Sequence, residues 1–290
     1  VDERELDGST EELPLKGKTL RLEQTSKAIN LANNEVASPE QLVQAVQTDW
    51  SLRRIHSIDT AVASMSGKEV TFVEKNKERT FYHELTTNGK IASREHSYDD
   101  WGNITKTIDH GLLDNLADNK TLDFEYAVHP NGIFQLPKLS QVSNSEGQLL
   151  QGTKTYYDNL PLGQLTRGLT TEEQRWLKDQ DWVTTQSTNY DSFGNPILLI
   201  DGDGRRRQLV WDTQWHGFPT EEWIFANGFD KEPLRIKADY DTGLGVLNTH
   251  TGFNGEQTSL SYDSFGRLLT IKKPYEDEAS IQYSYHFVDP

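Results

Sequence analysis

The 290-residue sequence contains no cysteine. That absence excludes a disulfide framework, a thiolate metal site and a cysteine nucleophile, and suits a chain that changes redox compartment. Long apolar runs are also missing, the longest being about five residues, far short of the ~20 that cross a bilayer as a helix. Cations are in deficit, with 29 Lys and Arg against 45 Asp and Glu, a net charge of −16 and a pI near 4.9. A phosphate backbone or an anionic lipid surface is therefore repelled, and nucleic acid is not an expected partner. The opening, Val1-Asp2-Glu3-Arg4-Glu5, is acidic and unlike a signal peptide. The sequence has no Gly-x-Ser-x-Gly elbow and no Walker loop, and its eight histidines include no His-Glu-x-x-His and no pair four apart. No serine nucleophile, nucleotide cradle, metal or other cofactor is expected on those grounds.

Aromatics are abundant. Only 34% of residues are hydrophobic, yet there are 7 Trp, 11 Tyr and 11 Phe, the profile of sheets faced with aromatics rather than of disorder. Many of them sit in a recurring box. Tyr190-Asp191-Ser192-Phe193-Gly194-Asn195 returns as Tyr262-Asp263-Ser264-Phe265-Gly266-Arg267 and, earlier, as Tyr98-Asp99-Asp100-Trp101-Gly102-Asn103. Tyr157-Asp158-Asn159, Trp211-Asp212-Thr213 and Tyr240-Asp241-Thr242-Gly243 are looser copies. The aromatics at 190, 211, 240 and 262 stand 21, 29 and 22 residues apart. A unit of that length is one supersecondary element that stacks on its neighbours to bury its apolar side.

The chemistry of the box predicts a chain reversal. An aromatic suits the last pleated position of a strand, the Asp after it can bond the backbone two residues on, and Gly supplies positive φ. Short apolar runs follow, Pro196-Ile197-Leu198-Leu199-Ile200 and Leu268-Leu269-Thr270-Ile271. Second turns are expected eleven residues past the aromatic, at Asp109-His110-Gly111, Asp201-Gly202-Asp203-Gly204, Thr251-Gly252 and Lys273-Pro274. Each repeat then reads as a β-hairpin, and the repeat-defining residues are Tyr98, Asp99, Gly102, Tyr157, Asp158, Tyr190, Asp191, Gly194, Trp211, Asp212, Tyr240, Asp241, Tyr262, Asp263 and Gly266.

This series resembles the YD repeat of Rhs proteins and teneurins. The segment Tyr156-Tyr157-Asp158-Asn159-Leu160-Pro161-Leu162-Gly163-Gln164-Leu165-Thr166-Arg167-Gly168, and Gly217-Phe218-Pro219-Thr220-Glu221-Glu222 after a Trp-Asp pair, are similar to the B component of bacterial Tc insecticidal toxin complexes and its plasmid-virulence relatives. The likeness runs from about Thr80 to the end. It implies an all-β fold of stacked hairpins forming a curved, shell-like sheet, with one or two short helices. It also implies a non-enzymatic wall segment that encapsulates a C-terminal toxic polypeptide for delivery into host cells, secreted or extracellular in a bacterium. The partners implied are further repeats of the same or a partner chain, the enclosed toxin, and a translocating component. The chain stops as another strand begins, at Tyr283-Ser284-Tyr285-His286, as expected of a fragment. The family's self-cleaving region has no counterpart here, so no catalytic residue is carried over. The alternative is an extracellular carbohydrate- or protein-binding adhesin module built of the same repeats.

The remaining segments are less repetitive. Gly17 to Glu23 alternates like a strand. Ser38-Pro39-Glu40-Gln41 has a capping spacing that predicts a short helix near 39–47. Val70 and Phe72, then Thr80-Phe81-Tyr82, predict a hairpin broken by the polar 74–78. Residues 111–119 read as a polar insertion ahead of a strand at 121–126, and Thr171 to Leu177 as one or two helical turns with Trp176 packed on the sheet. A soft border near Ser93 divides an N-terminal segment, 1–93, from the repeat region, 94–290.

Other candidate sites reduce to bland chemistry. Asp201-Gly202-Asp203-Gly204 runs into Arg205-Arg206-Arg207 where a calcium loop needs another oxygen ligand, so a turn is expected, with the arginines pairing local carboxylates. Asp99-Asp100 and Glu221-Glu222 are strand neighbours pointing to opposite faces and form no catalytic dyad. Asn103-Ile104-Thr105 and Asn119-Lys120-Thr121 fit a glycosylation sequon that occurs often by chance. The repeated Tyr and Trp could stack on sugars, but their place before a turn favours packing.

Overall fold

The computed structural model describes residues 18–30, 35–55, 70–83, 89–129, 135–178, 181–226 and 231–286. Apart from a single 3-10 turn, Leu116–Asp118, its regular structure among those residues is antiparallel β. All-β is thus the fold, with almost no helix. The chain falls into two compact units. One runs through Lys154 and includes Leu162–Leu165 and Trp176–Asp181; the other comprises Thr155–Pro161, Thr166–Arg175 and the chain from Trp182 onward. Ser93, where a border was expected, lies inside a strand of the first unit and pairs with Arg79 of its neighbour.

The first unit is a meander of β1 (Arg21–Asn30), β2 (Glu35–Ile55), β3 (Val70–Tyr82), β4 (Lys90–Tyr98), β5 (Ile104–Leu112), β6 (Lys120–Tyr126), β7 (Pro137–Asn144) and β8 (Leu149–Tyr157). Each strand pairs antiparallel with the next. The helix expected at 39–47 is instead part of β2. An isolated helix of that length is marginal in water, whereas here Gln44 to Gln47 find ladder partners on both sides, in β1 and in β3. Alternation carries Ala45 to complete burial. The hairpin expected at 70–82 is one continuous strand with a one-residue irregularity at Asn76, because its polar middle finds opposite charges. Glu74 pairs with Arg53, Lys77 with Glu95 and Arg79 with Asp49 across the flanking strands. At Asp109-His110-Gly111 the expected turn is an irregularity within β5. Gly111, at φ +53°, donates its N–H to Asp109 Oδ1, and the reversal comes later, at 113–119.

The second unit takes up the end of β8 and continues through β9 (Thr170–Leu177), β10 (Asp181–Tyr190), β11 (Pro196–Asp201), β12 (Arg206–Trp211), β13 (Pro219–Phe225), β14 (Leu234–Asp241), β15 (Val246–Thr251), β16 (Gln257–Tyr262), β17 (Leu268–Lys272) and β18 (Ile281–Gln282). From β10 to β18 each strand again pairs with its successor. The helix expected at 171–177 is β9. Thr184 Oγ1 donates to Glu172 and Thr185 Oγ1 to the carbonyl of Glu173, so the capping-box spacing is overridden by cross-strand partners. Register gives both faces of this unit a mixed character. Leu199, Leu209, Ile224, Ile236, Leu260 and Ile271 share one face with Arg207, Glu222 and His250, and Glu221, Lys237, Thr249, Ser259 and Thr270 share the other with Leu198, Val210 and Trp223. Few residues are fully enclosed. Among the described hydrophobic residues only Ala45, Ala127, Tyr157 and Leu165 are buried, and most strand side chains are half-buried.

Candidate functional site

The strands that end in the aromatic boxes are all even-numbered and so run in one direction, and within each unit the box turns lie along one edge of the sheet. Tyr98 closes β4, Tyr157 β8, Tyr190 β10, Trp211 β12, Tyr240-Asp241 β14 and Tyr262 β16. In the ladders of five of these strands the register slips by one residue immediately before the aromatic, as at Ser97/Tyr98, Asn189/Tyr190, Val210/Trp211, Asp239/Tyr240 and Ser261/Tyr262. A bulge re-aims the side chain it precedes, and here it swings the aromatic tip back over the neighbouring strand.

In four of the six boxes the tip bonds a backbone carbonyl. Tyr190 Oη donates to the carbonyl of Thr170 at 2.7 Å, Trp211 Nε1 to Pro196 at 2.9 Å and Tyr262 Oη to Leu247 at 2.9 Å. Those acceptors are the first or second residues of β9, β11 and β15, the strands that leave the preceding box. Tyr98 reaches the carbonyl of Lys75. Two further staples carry no Asp and escape a Tyr-Asp pattern. Tyr126 donates to Ile104 at 2.8 Å, after the same one-residue slip, and Tyr285 donates to Leu268 at 2.9 Å. Tyr240 makes a ring contact instead, 5.1 Å from Phe218.

The aspartate shapes the turn. Asp191 Oδ1 accepts the N–H of Phe193 and of Asn195, and its backbone N–H and C=O bond Asn195 and Gly194. This is the three-residue hairpin loop with a left-handed residue at its end, which is why Gly194 sits at φ +95°. Asp99 and Asp263 repeat it with Trp101, Asn103, Phe265 and Arg267 as donors. The fifth residue then supplies a side-chain bond to the second carboxylate oxygen, from Asn103, Asn195 or Arg267. The opposite edge uses the same loop. Asn144 and Asp201 cap it with Gln148 and Arg205 at the fifth place. At 252–256 the first place is Gly252, and Glu256 reaches back from the fifth to accept the N–H of Asn254. A Cβ on Gly252 would fall on that carboxylate.

Two boxes are enlarged around the same principle. Asp212 accepts from Gln214 and Trp215 on one oxygen and from Gly217 and Phe218 on the other. Asp158 Oδ2 gathers the N–H groups of Thr166, Arg167 and Gly168 at 2.7–2.9 Å, and Oδ1 that of Leu169 at 3.0 Å. Partial burial pushes both carboxyls up, but four backbone donors each outweigh it and hold them at about 2. Asp191, Asp201 and Asp263 are also held below the ordinary carboxylate range. At Asp191 and Asp263 desolvation opposes the donated N–H groups, and at Asp201 the Arg205 N–H leads. Successive boxes touch. Arg167 Nη1 donates to Ser192 O, Asn195 Nδ2 to His216 O, and the rings of Phe193 and His216 stack 3.8 Å apart.

The residues at the turn tips face solvent. Trp101, Phe193, Trp215, Leu244 and Phe265 are all exposed, Phe265 to 80%. Of the arginine triplet, Arg205 pairs with Asp201 and Asp203, and Arg207 with Glu222. Asn103 is buried and bonded within its turn, which makes its sequon inaccessible. Among the described residues no group of three or more His, Cys, Asp or Glu is placed to hold a metal ion, and no helix is long and apolar enough to cross a membrane.

No family model and no curated protein sequence matches the chain. Solved structures do share its fold. The TcdB2-TccC3-Cdc42 and TcdB2-TccC3-TEV structures each superpose with a TM-score of 0.60 at 13% identity over 79% of this chain. The Tc holotoxin pore of Photorhabdus luminescens does so with a TM-score of 0.60 at 14% identity over 79%. This chain spans only 15% of the length of those proteins. At such identities the likeness is one of fold, a strand meander of the kind found in Tc toxin components.

Proposed function

We propose that this chain is a non-enzymatic wall segment of a bacterial Tc-like toxin shell. Such a shell encloses a C-terminal toxic polypeptide and keeps it from proteases and from the cytosol until delivery. The observation that carries the reading is the staple and cap series. Tyr190, Trp211, Tyr262 and Tyr285 each bond the strand that left the box before them, so there strands add in register and the sheet extends by repetition. The fold shared with TcdB2-TccC3 structures supports the same role. The partners of this reading are further repeats in the same or a companion chain, the passenger, and a translocating toxin component. Its setting is outside the bacterium.

A protease challenge tests the proposal. The passenger is co-expressed with the complete shell or with a shell lacking residues 94–290, and its digestion is followed over time. A passenger cut at equal rates in both would rule the wall role out.

A further inference from the structure

We infer that the cleft beside Trp101 in the first unit is a binding site for a neutral saccharide. The cleft measures about 360 Å³, within the range of ~300–1,000 Å³ typical of small-molecule sites. One wall is the indole of Trp101, held at the tip of the first box turn and 49% exposed. Trp50, Trp211 and Trp223 spend their indole N–H on Thr19 O, Pro196 O and Glu221, but among the described residues nothing accepts from Trp101. The hydroxyl of Thr105, which also lines the cleft, is likewise uncommitted among the described residues.

Opposite charges stand beside this platform. Lys138 Nζ lies 3.1 Å from Glu125 Oε2, with the glutamate side chain 57% exposed, so a donor and an acceptor sit next to one another at the rim. That is the disposition that two adjacent hydroxyls of a sugar ring require. The carboxylate of Asp99 also lines the cleft, but its oxygens are taken by the turn N–H groups and by Asn103. Glu125 and Lys138 offset each other and Asp99 leaves one negative charge in the lining, which disfavours an anionic ligand, and the indole face beside a donor and an acceptor suits a ring with one apolar C–H face and a hydroxylated edge. The inference is independent of the wall role.

Isothermal titration and saturation-transfer NMR of the whole chain with cellobiose, maltose, lactose and diacetylchitobiose test it. At least one disaccharide saturates by about 10 mM. Trp101→Ala and Lys138→Met each weaken it about tenfold or more, while Trp215→Ala, at another exposed turn tip, leaves it unchanged. If Trp101→Ala lowers the melting temperature, Trp101→Phe is read instead: weakened binding from the lost indole N–H supports the site, and unchanged affinity overturns it. Failure of all four sugars to saturate, or equal loss in Trp215→Ala, also overturns it.

Discussion

Replacing Asp158 by Asn separates the charge of the carboxylate from its shape. The Asp158 carboxyl is held at about 2 against an ordinary value of 3.8. A difference of that size corresponds to roughly 2.5 kcal/mol as an upper bound, and solvent screening at this partly exposed site brings it to about 1–2 kcal/mol. An asparagine keeps one acceptor oxygen, so it can serve the Thr166, Arg167 and Gly168 N–H groups or that of Leu169 but not both. The amide nitrogen then opposes an N–H donor. A total loss of about 2 kcal/mol at neutral pH follows.

The sign of the pH dependence is fixed by the lowered value. The stability contributed by the Asp158 charge is fully present above about pH 4 and is lost as the pH falls toward 2, with roughly half gone by pH 3. Urea unfolding of both proteins, followed by tryptophan fluorescence at pH 7 and pH 3, isolates this site, because the other box carboxylates titrate equally in each. The gap between the curves should narrow by about a quarter to a half at pH 3. A gap below about 0.5 kcal/mol at pH 7, or one that stays constant with pH, would refute the account.

Other perturbations probe the staple and the turn. Tyr262→Phe strands the Leu247 carbonyl and should cost about 1 kcal/mol by urea midpoint, with no change in far-UV circular dichroism. Gly147→Ala meets no atom within 4 Å and bears only its φ of +78°, about 1 kcal/mol; Gly102→Ala adds a collision with the Phe72 ring and should lose at least ~3 kcal/mol in the same assay. Glu256→Ala should destabilise its turn by about 1 kcal/mol, and Gly252→Asp should restore stability in that background while lowering it in the parent chain, as read from melting temperatures.

The parts of the fold visible in the sequence are those made by local contacts. Tyr190-Asp191 to Asn195 holds its own turn by bonds that span four residues, so its chemistry is written in consecutive letters. Residues 39–47 and 171–177 carry equally good local helix signals, and there the ladders supplied by distant strands prevail. The staples of Tyr126 and Tyr285 were hidden because Ala127 and His286 stand where the box has Asp. The turn at Asn144, which was not expected as the one at Asp201 was, could have been found from one spacing. Asx three residues before Gly, then a polar fifth residue, describes both as well as Asp99, Asp191 and Asp263.

The aromatic tips all point backward along the chain: 285 to 268, 262 to 247, 211 to 196, 190 to 170, 126 to 104 and 98 to 75. Every acceptor has been synthesised before its donor. A polypeptide leaving the ribosome or threading a pore amino end first therefore finds each docking carbonyl already in place, and construction can advance one hairpin at a time without waiting for residues still to come.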